Sequence, residues 1–271
     1  MKYPVALTIA GSDSSGGAGI QADIKTMSAI GVYATSAITA ITAQNTTGVS
    51  AIQGISPEIV TAQIDAVFTD INPSVVKIGM LYSEEIIMSV AEKLRLYKPK
   101  YIILDPVMIS TSGSTLISPS AIETMKRELF PLSTVITPNK AEAEHLSGIE
   151  IKDTTSMNDS AKTILSYGGL YALIKGGHFE DATMTDYLYN KSGLVESYKG
   201  HFVNTRNTHG TGCTFSSAIA AYLSLGKDVG NAIRMAKQYL QSALEQGSNI
   251  DAGHGHGPVN HFFNPEKLKT I

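Results

Sequence analysis

Val5-Ala6-Leu7-Thr8-Ile9-Ala10 ends at Gly11, passes through Ser12-Asp13-Ser14-Ser15-Gly16-Gly17-Ala18-Gly19, and runs into Ile20, Ile24, Met27 and Ile30 at helical spacing. A short β-branched apolar run, a loop of small residues and an amphipathic pattern read as strand, loop and helix. Within the loop, Gly17-x-Gly19-x-x-Ala22 matches the dinucleotide fingerprint, which also needs an acidic residue about twenty positions on for a ribose hydroxyl. No Asp or Glu occurs from Ile24 to Pro57, so a nicotinamide or flavin site is discounted. The loop is then either the floor of a small-ligand site or a plain tight connection.

The same alternation continues outward from this unit. Tyr33 to Thr42 is β-like and delivers Gln44 and Asn45 into the following loop. Ser56-Pro57-Glu58 opens a helix to Phe68 with a capping hydroxyl, an early proline and an early acid. Val75 to Ile78, Tyr101 to Leu104, Val135 to Thr137 and Tyr171 to Lys175 read as strands. Helices are expected after Ser83, after Ser118-Pro119 and from the stretch Pro138-Asn139-Lys140-Ala141-Glu142. Such alternation predicts an α/β fold with a parallel sheet covered on both faces. Tyr187 to Tyr189 and Glu196 to Phe202 form a hairpin, hence a small antiparallel edge. Two helices follow, Cys213 to Leu225 and Val229 to Gln246. We expect one domain over 1–271, with a glycine-rich, solvated tail from about 248 whose His254, His256 and His261 lack zinc spacing.

Composition narrows the function classes. With 271 residues, 43% hydrophobic and a net charge of -3, the chain can bury a large core and has no basic face for nucleic acid or an anionic membrane. No apolar run reaches membrane-spanning length. One cysteine excludes an intramolecular disulfide, and Met1-Lys2-Tyr3-Pro4 resembles no signal peptide, so a cytoplasmic protein is expected. No Gly-x-x-x-x-Gly-Lys-Ser/Thr loop occurs, so any phosphate handling is not of the P-loop type.

The chemistry is expected at Asn207-Thr208-His209-Gly210-Thr211-Gly212-Cys213-Thr214, where a glycine-rich turn enters an apolar helix. Turned-out amides and the helix dipole make an anion site there. Cys213, at the first turn, is either a small buried hydrophobe or a thiol whose pKa of about 8.5 is lowered to roughly 3.5–7.5, able to act as a base. Asp105 and Glu142 follow strand ends, and two such carboxylates could hold Mg²⁺, although Glu142 could equally complement a helix dipole. Lys175 beside Gly176-Gly177 can approach a phosphate. Gln44 offers donor and acceptor together, suited to a nitrogen heterocycle carrying an amino group, or is merely solvated.

Taken together, Leu7 to Asp23, Ala43-Gln44-Asn45, Asp105-Pro106-Val107-Met108, Thr137-Pro138-Asn139, Lys175-Gly176-Gly177-His178 and Asn207 to Thr214 resemble the hydroxymethylpyrimidine/phosphomethylpyrimidine kinase family of thiamine biosynthesis, within the ribokinase-like superfamily. The resemblance runs from about Pro4 to Phe262. It implies a three-layer αβα sandwich and a kinase using ATP and Mg²⁺ on a small pyrimidine alcohol and on its monophosphate. It further implies that Gln44 binds the pyrimidine, that Asp23, Gly11 and Met80 line its pocket, and that Cys213 is the base where sugar kinases carry Asp. Gly210, Thr211 and Gly212 would cradle the transferring phosphoryl group, Lys175, Thr208 and Lys237 would lie near ATP, and Asp105 and Glu142 near the metal. Thr42 departs from the aliphatic residue expected beside Gln44. A homodimer is the expected assembly. The rivals are a pyridoxal kinase with the same cysteine loop, a non-catalytic binding protein, and a cysteine hydrolase using His209.

Overall fold

The computed structural model describes residues 2–108, 116–177 and 183–271. His178 of the lysine-glycine motif lies outside them. Nine strands, β1 (Val5–Asp13), β2 (Tyr33–Asn45), β3 (Gly48–Gly54), β4 (Val75–Ile78), β5 (Tyr101–Leu104), β6 (Val135–Ile136), β7 (Tyr171–Gly177), β8 (Thr183–Asn190) and β9 (Gly193–His201), form one sheet in the order β3-β2-β1-β4-β5-β6-β7-β8-β9. The six from β2 to β7 in that order are parallel, and β3, β8 and β9 add antiparallel edges.

Alternation along each strand divides the core between two helical layers. Leu7, Ile9, Val76, Ile78, Ile102 and Leu104 face α2 (Pro57–Asp70), α3 (Glu84–Tyr97), α4 (Pro119–Glu128), α5 (Lys140–Ser147) and α6 (Thr154–Ser166). Ala6, Val75 and Ile103 face α1 (Gly19–Ala29), α7 (Thr211–Ser224) and α8 (Val229–Gly247). Ser83 and Ser118 accept backbone N–H bonds as N-caps of α3 and α4, as their positions before the apolar patterns require, and Asn139 does so for α5; Ser56, expected to cap α2, makes no side-chain cap bond. Among the described residues no helix is long and apolar enough to cross a membrane.

After β1 the chain goes first to β2 on one side and then to β4 on the other. Connections diverge from β1 in opposite directions, which opens a crevice at the carboxyl ends of β1 and β4, the usual ligand position of open α/β sheets.

Two local expectations are corrected. Gln44 and Asn45 belong to β2 itself, because β3 pairs back on it as a hairpin that the sequence reading missed. Asn45 Oδ1 accepts from Thr47 N and Gly48 N and so sets that turn. The segment after 248 is not simply solvated: Gly257 O accepts from His209 N, Thr46 O accepts from His256 N, and His261 is only 4% exposed. The His261 ring meets Thr214 Oγ1 at 3.1 Å, and burial pushes its pKa down to about 4, so the tail packs a neutral imidazole under α7.

Candidate active site

The crevice holds a cleft of about 630 Å³ bordered by Gly11 and Asp13 from β1, Gln44 from β2, Met80 after β4, Asp105 after β5, Glu142 of α5 and Gly210 to Cys213 at the start of α7. A smaller cleft of about 320 Å³ adjoins it, bordered by Met184, Phe202, Thr208, Lys237 and Leu240 among others. Asn139, Lys175, Thr211 and Gly212 border both. The two cavities therefore meet at one lysine and one helix N-terminus.

That terminus is built by close packing of two glycine loops. Gly210 is the N-cap of α7 with φ +78°, and a Cβ there would lie 1.8 Å from the Gly17 carbonyl oxygen. Only glycine allows both the left-handed backbone and this approach. No side chain caps α7, so its first-turn amides face the cleft junction with the positive end of the dipole behind them.

Charges beneath the amides are paired. Lys175 Nζ donates to Asp105 Oδ1 at 3.0 Å, and Thr137 and Ser216 hydroxyls donate to the same carboxylate. Burial alone would raise the Asp105 pKa, but Lys175 and then Lys77 hold it below the usual carboxylate range. Glu142 lacks such a partner. Burial lifts it to about 7, with Lys175 opposing and Asp105 adding to the rise, although Asn139 N donates to it in a capping box. Among the described residues no group of three or more His, Cys, Asp or Glu could hold a metal. Two hard-oxygen carboxylates, one of them undercompensated, nevertheless fit Mg²⁺, which takes one or two carboxylates and completes its shell with waters and substrate phosphates.

Asp23 does not border the cleft. It is fully buried below it, bound by Lys77 Nζ at 2.8 Å, Thr8 Oγ1 at 2.5 Å and Ser217 Oγ at 2.5 Å. The period-2 rule explains this: Lys77 and Thr8 point to the α1–α7 side of the sheet, where Asp23 of α1 and Ser217 of α7 meet them. Lys77, whose own role the sequence reading missed, does reach the cleft. Burial disfavours its charge, but Asp23 first, then Cys213 and Asp105, keep its pKa above the ordinary lysine value.

Cys213 sits at the cleft with its thiol shifted opposite to expectation. Burial pushes it up to about 11; Lys77 opposes this, while Asp23 and Asp105 add to it. The helix dipole amounts to roughly half a charge and falls off within one turn, too little to offset lost water and two carboxylates. Cys213 therefore keeps its proton at neutral pH. We expect iodoacetamide to alkylate it about two orders of magnitude more slowly at pH 7 than an ordinary thiol of pKa near 8.5, with the rate still climbing above pH 9. Mass-spectrometric labelling rates check this, and a plateau near pH 8 would contradict the raised pKa.

Of the remaining expected residues, Gly11 and Met80 lie together, with the Met80 sulfur 3.2 Å from where a Gly11 Cβ would stand. Thr208 and Lys237 line the smaller cleft, Lys237 bound to Asp186 Oδ2 at 2.7 Å. Gln44 follows a register shift in the β2–β3 pairing, a bulge that re-aims its side chain into the cleft. Its carboxamide lies 3.4 Å from His209 Nε2, which itself lies 2.8 Å from Asp13 Oδ2. The His209 Nε2 that a cysteine hydrolase could use is thus engaged by Asp13 and Gln44. Asp13 and Asp186 were visible only as members of a loop and a strand-like run, and no spacing in the sequence joins them to the site; His209 stood out only as a neighbour of Cys213.

Residues 13–260 match the phosphomethylpyrimidine kinase family profile. The chain belongs to the phosphomethylpyrimidine kinase family. It is 48% identical over 259 residues to the hydroxymethylpyrimidine/phosphomethylpyrimidine kinase of Rhizobium meliloti, covering 95% of this chain and 97% of that one. It is 45% identical to a thiamine biosynthesis bifunctional protein of Geobacter sulfurreducens, of which it spans 53%. The crystal structure of phosphomethylpyrimidine kinase from Clostridium difficile is similar at 48% identity and TM-score 0.78, over 89% of this chain and 99% of that one. An ADP complex of Bacillus subtilis pyridoxal kinase is similar at 35% identity and TM-score 0.86, over 96% and 98%. The family fold is the ribokinase-like αβα sandwich, and the family activity is that of a kinase.

Proposed function

We propose that this chain transfers the γ-phosphoryl group of ATP to 4-amino-5-hydroxymethyl-2-methylpyrimidine, and a second one to the resulting monophosphate, in the cytoplasm. The observation that carries this reading is the junction of the two clefts at Lys175 and the first turn of α7. A nucleotide in the smaller cleft and an alcohol in the larger one would place donor and acceptor on opposite sides of the same amides.

Met80 packs on the pyrimidine face, and Gln44 pairs with its edge. Lys175, released in part from Asp105, meets the phosphates as a point charge; the α7 amides hold the transferring group. Losing one such donor typically costs roughly 10²–10³ in rate. Asp105 and Glu142 would hold Mg²⁺, which would screen the phosphate charge. Cys213 Sγ, as thiolate, accepts the hydroxymethyl proton. A loose phosphoryl transition state asks for that proton late, so a small thiolate fraction stabilised by Lys77 suffices.

The test is mass spectrometry of products from the pyrimidine alcohol, its monophosphate and pyridoxal, each with Mg-ATP. We expect mono- and diphosphate from the first two. A higher kcat/KM for pyridoxal would transfer the chain to the vitamin B6 kinases, and absence of turnover with all three would leave a binding protein.

A further inference from the structure

The carboxyl end of β7 is irregular where it carries Lys175. Ile174 pairs with Tyr187 and Gly177 with Thr185, so Lys175 and Gly176 together stand opposite Asp186 alone. That arrangement is a β-bulge, which interrupts the ladder, leaves the extra residue unpaired and bends the strand. Gly176 takes the left-handed backbone of the bend at φ +75°, and its amide needs an acceptor other than the ladder. Asp186 supplies one. Gly176 N donates to Asp186 Oδ1 at 2.9 Å, while Lys175 N donates to Pro138 O at 2.9 Å on the other edge of the strand. The backbone beneath the Lys175 side chain is therefore held from both sides.

The second oxygen of the same carboxylate reaches α8. Asp186 Oδ2 accepts from Lys237 Nζ at 2.7 Å, because alternation along β8 puts Asp186 on the face of Leu188, toward α7 and α8. The Lys237 stem runs so close to β9 that a Cβ on Gly200 would lie 2.8 Å from its Cε. Lys175, Lys237 and Asp186 all border the smaller cleft. Burial disfavours the Lys175 charge, but Asp105, Glu142 and last Asp186 keep its pKa above the ordinary lysine value. An unpaired carboxylate in this place would repel a phosphate. Asp186 is only 4% exposed and has one oxygen on an amide and the other on an ammonium, so its charge is already answered.

We propose that Asp186 is a positioning residue for phosphoryl transfer: one oxygen holds the bulge that presents Lys175 at the junction of the clefts, and the other fixes Lys237 on the wall of the nucleotide cleft. A polyphosphate entering that cleft meets two cations whose separation is set by a single carboxylate. The inference rests on the assignment of the smaller cleft to the nucleotide and deepens it.

Three variants separate the two oxygens. Asp186→Asn keeps an acceptor for Gly176 N but turns an amide N–H toward Lys237; Lys237→Met removes the cation and leaves the bulge bond; Asp186→Ala removes both contacts. Calorimetry is expected to show Mg-ATP bound about tenfold more weakly by Asp186→Asn and by Lys237→Met, the scale of one charge-assisted hydrogen bond, with no further loss when the two are combined. In both, kcat stays near the wild-type value. Asp186→Ala weakens Mg-ATP as much and also lowers kcat about 10²-fold, the usual effect of a misplacement of about 1 Å. KM for the pyrimidine alcohol is unchanged throughout, since Asp186 and Lys237 border the smaller cleft and not the larger one, whereas a general loosening of the fold would shift both substrates. Hydrogen exchange without ligand gives a readout independent of turnover: the Gly176 amide is protected in the wild type and in Asp186→Asn, and exchanges freely in Asp186→Ala. A freely exchanging Gly176 amide in the wild type, a kcat as low in Asp186→Asn as in Asp186→Ala, or an unaltered Mg-ATP affinity in Lys237→Met overturns the inference and leaves the kinase reading intact. A wild type that neither binds nor turns over Mg-ATP overturns both.

Discussion

Cys213→Ala is expected to lose about 10²–10⁴ in kcat, the usual range for a positioned general base, while pyrimidine binding measured by calorimetry changes little. The thiol borders the larger cleft next to the first turn of α7, and Gln44, Met80 and Gly11, which the proposal places against the ring, lie elsewhere on its wall. Because the thiol is held near 11, the active thiolate is a minor species at neutral pH, and kcat for the wild type should rise with pH between 7 and 9. Cys213→Asp, which carries the base that the sugar-kinase resemblance implies and is intrinsically far more acidic than a thiol, should recover part of the rate and flatten that rise. Near-normal turnover in Cys213→Ala would remove the thiol from the chemistry.

Lys77→Met should produce the largest loss of stability. It strands Asp23 in a fully buried position with only two hydroxyls for company, and breaking a buried pair from one side costs about 3–5 kcal/mol. For a chain of this size that lowers Tm by on the order of 10 °C. Replacing both partners, Lys77→Met with Asp23→Leu, should recover more than half of the loss, since no charge is then left unpaired. Activity should not recover with it, because the cation opposing the rise of the Cys213 pKa is still missing. Scanning calorimetry and turnover on the same two proteins check both halves. A single variant as stable as wild type would mean that Asp23 takes up a proton at no cost, against the ion-pair account.

The contrast between Cys213 and Lys175 shows how far local sequence reaches. Gly210 and Gly212 before an apolar helix indicate an amide-lined anion site, because backbone turns and helix starts are written in short stretches. The same stretch suggests an acidified thiol, and that is wrong. The pKa depends on Lys77, Asp23 and Asp105, which come from β4, α1 and the end of β5 and have no sequence proximity to residue 213. Lys175 stands at the cleft junction, as its glycine neighbours suggest; its ion pair with Asp105, seventy residues earlier, could not be read.

The amino-acid order alone determined the alternation of strands and helices, the caps that start α3 and α4, the late hairpin, and the glycine turn entering α7, since each depends on side-chain period or backbone freedom within a dozen residues. Tertiary structure decided what those pieces do to one another. It put Asp23 under the cleft rather than in it, brought β3 onto β2 so that a bulge aims Gln44, folded the tail against Thr46 and His209, and set the proton inventory of Cys213 and Glu142. Burial and charge are sums over everything nearby in space, and the neighbours entering those sums are chosen by the sheet order, which no single stretch encodes.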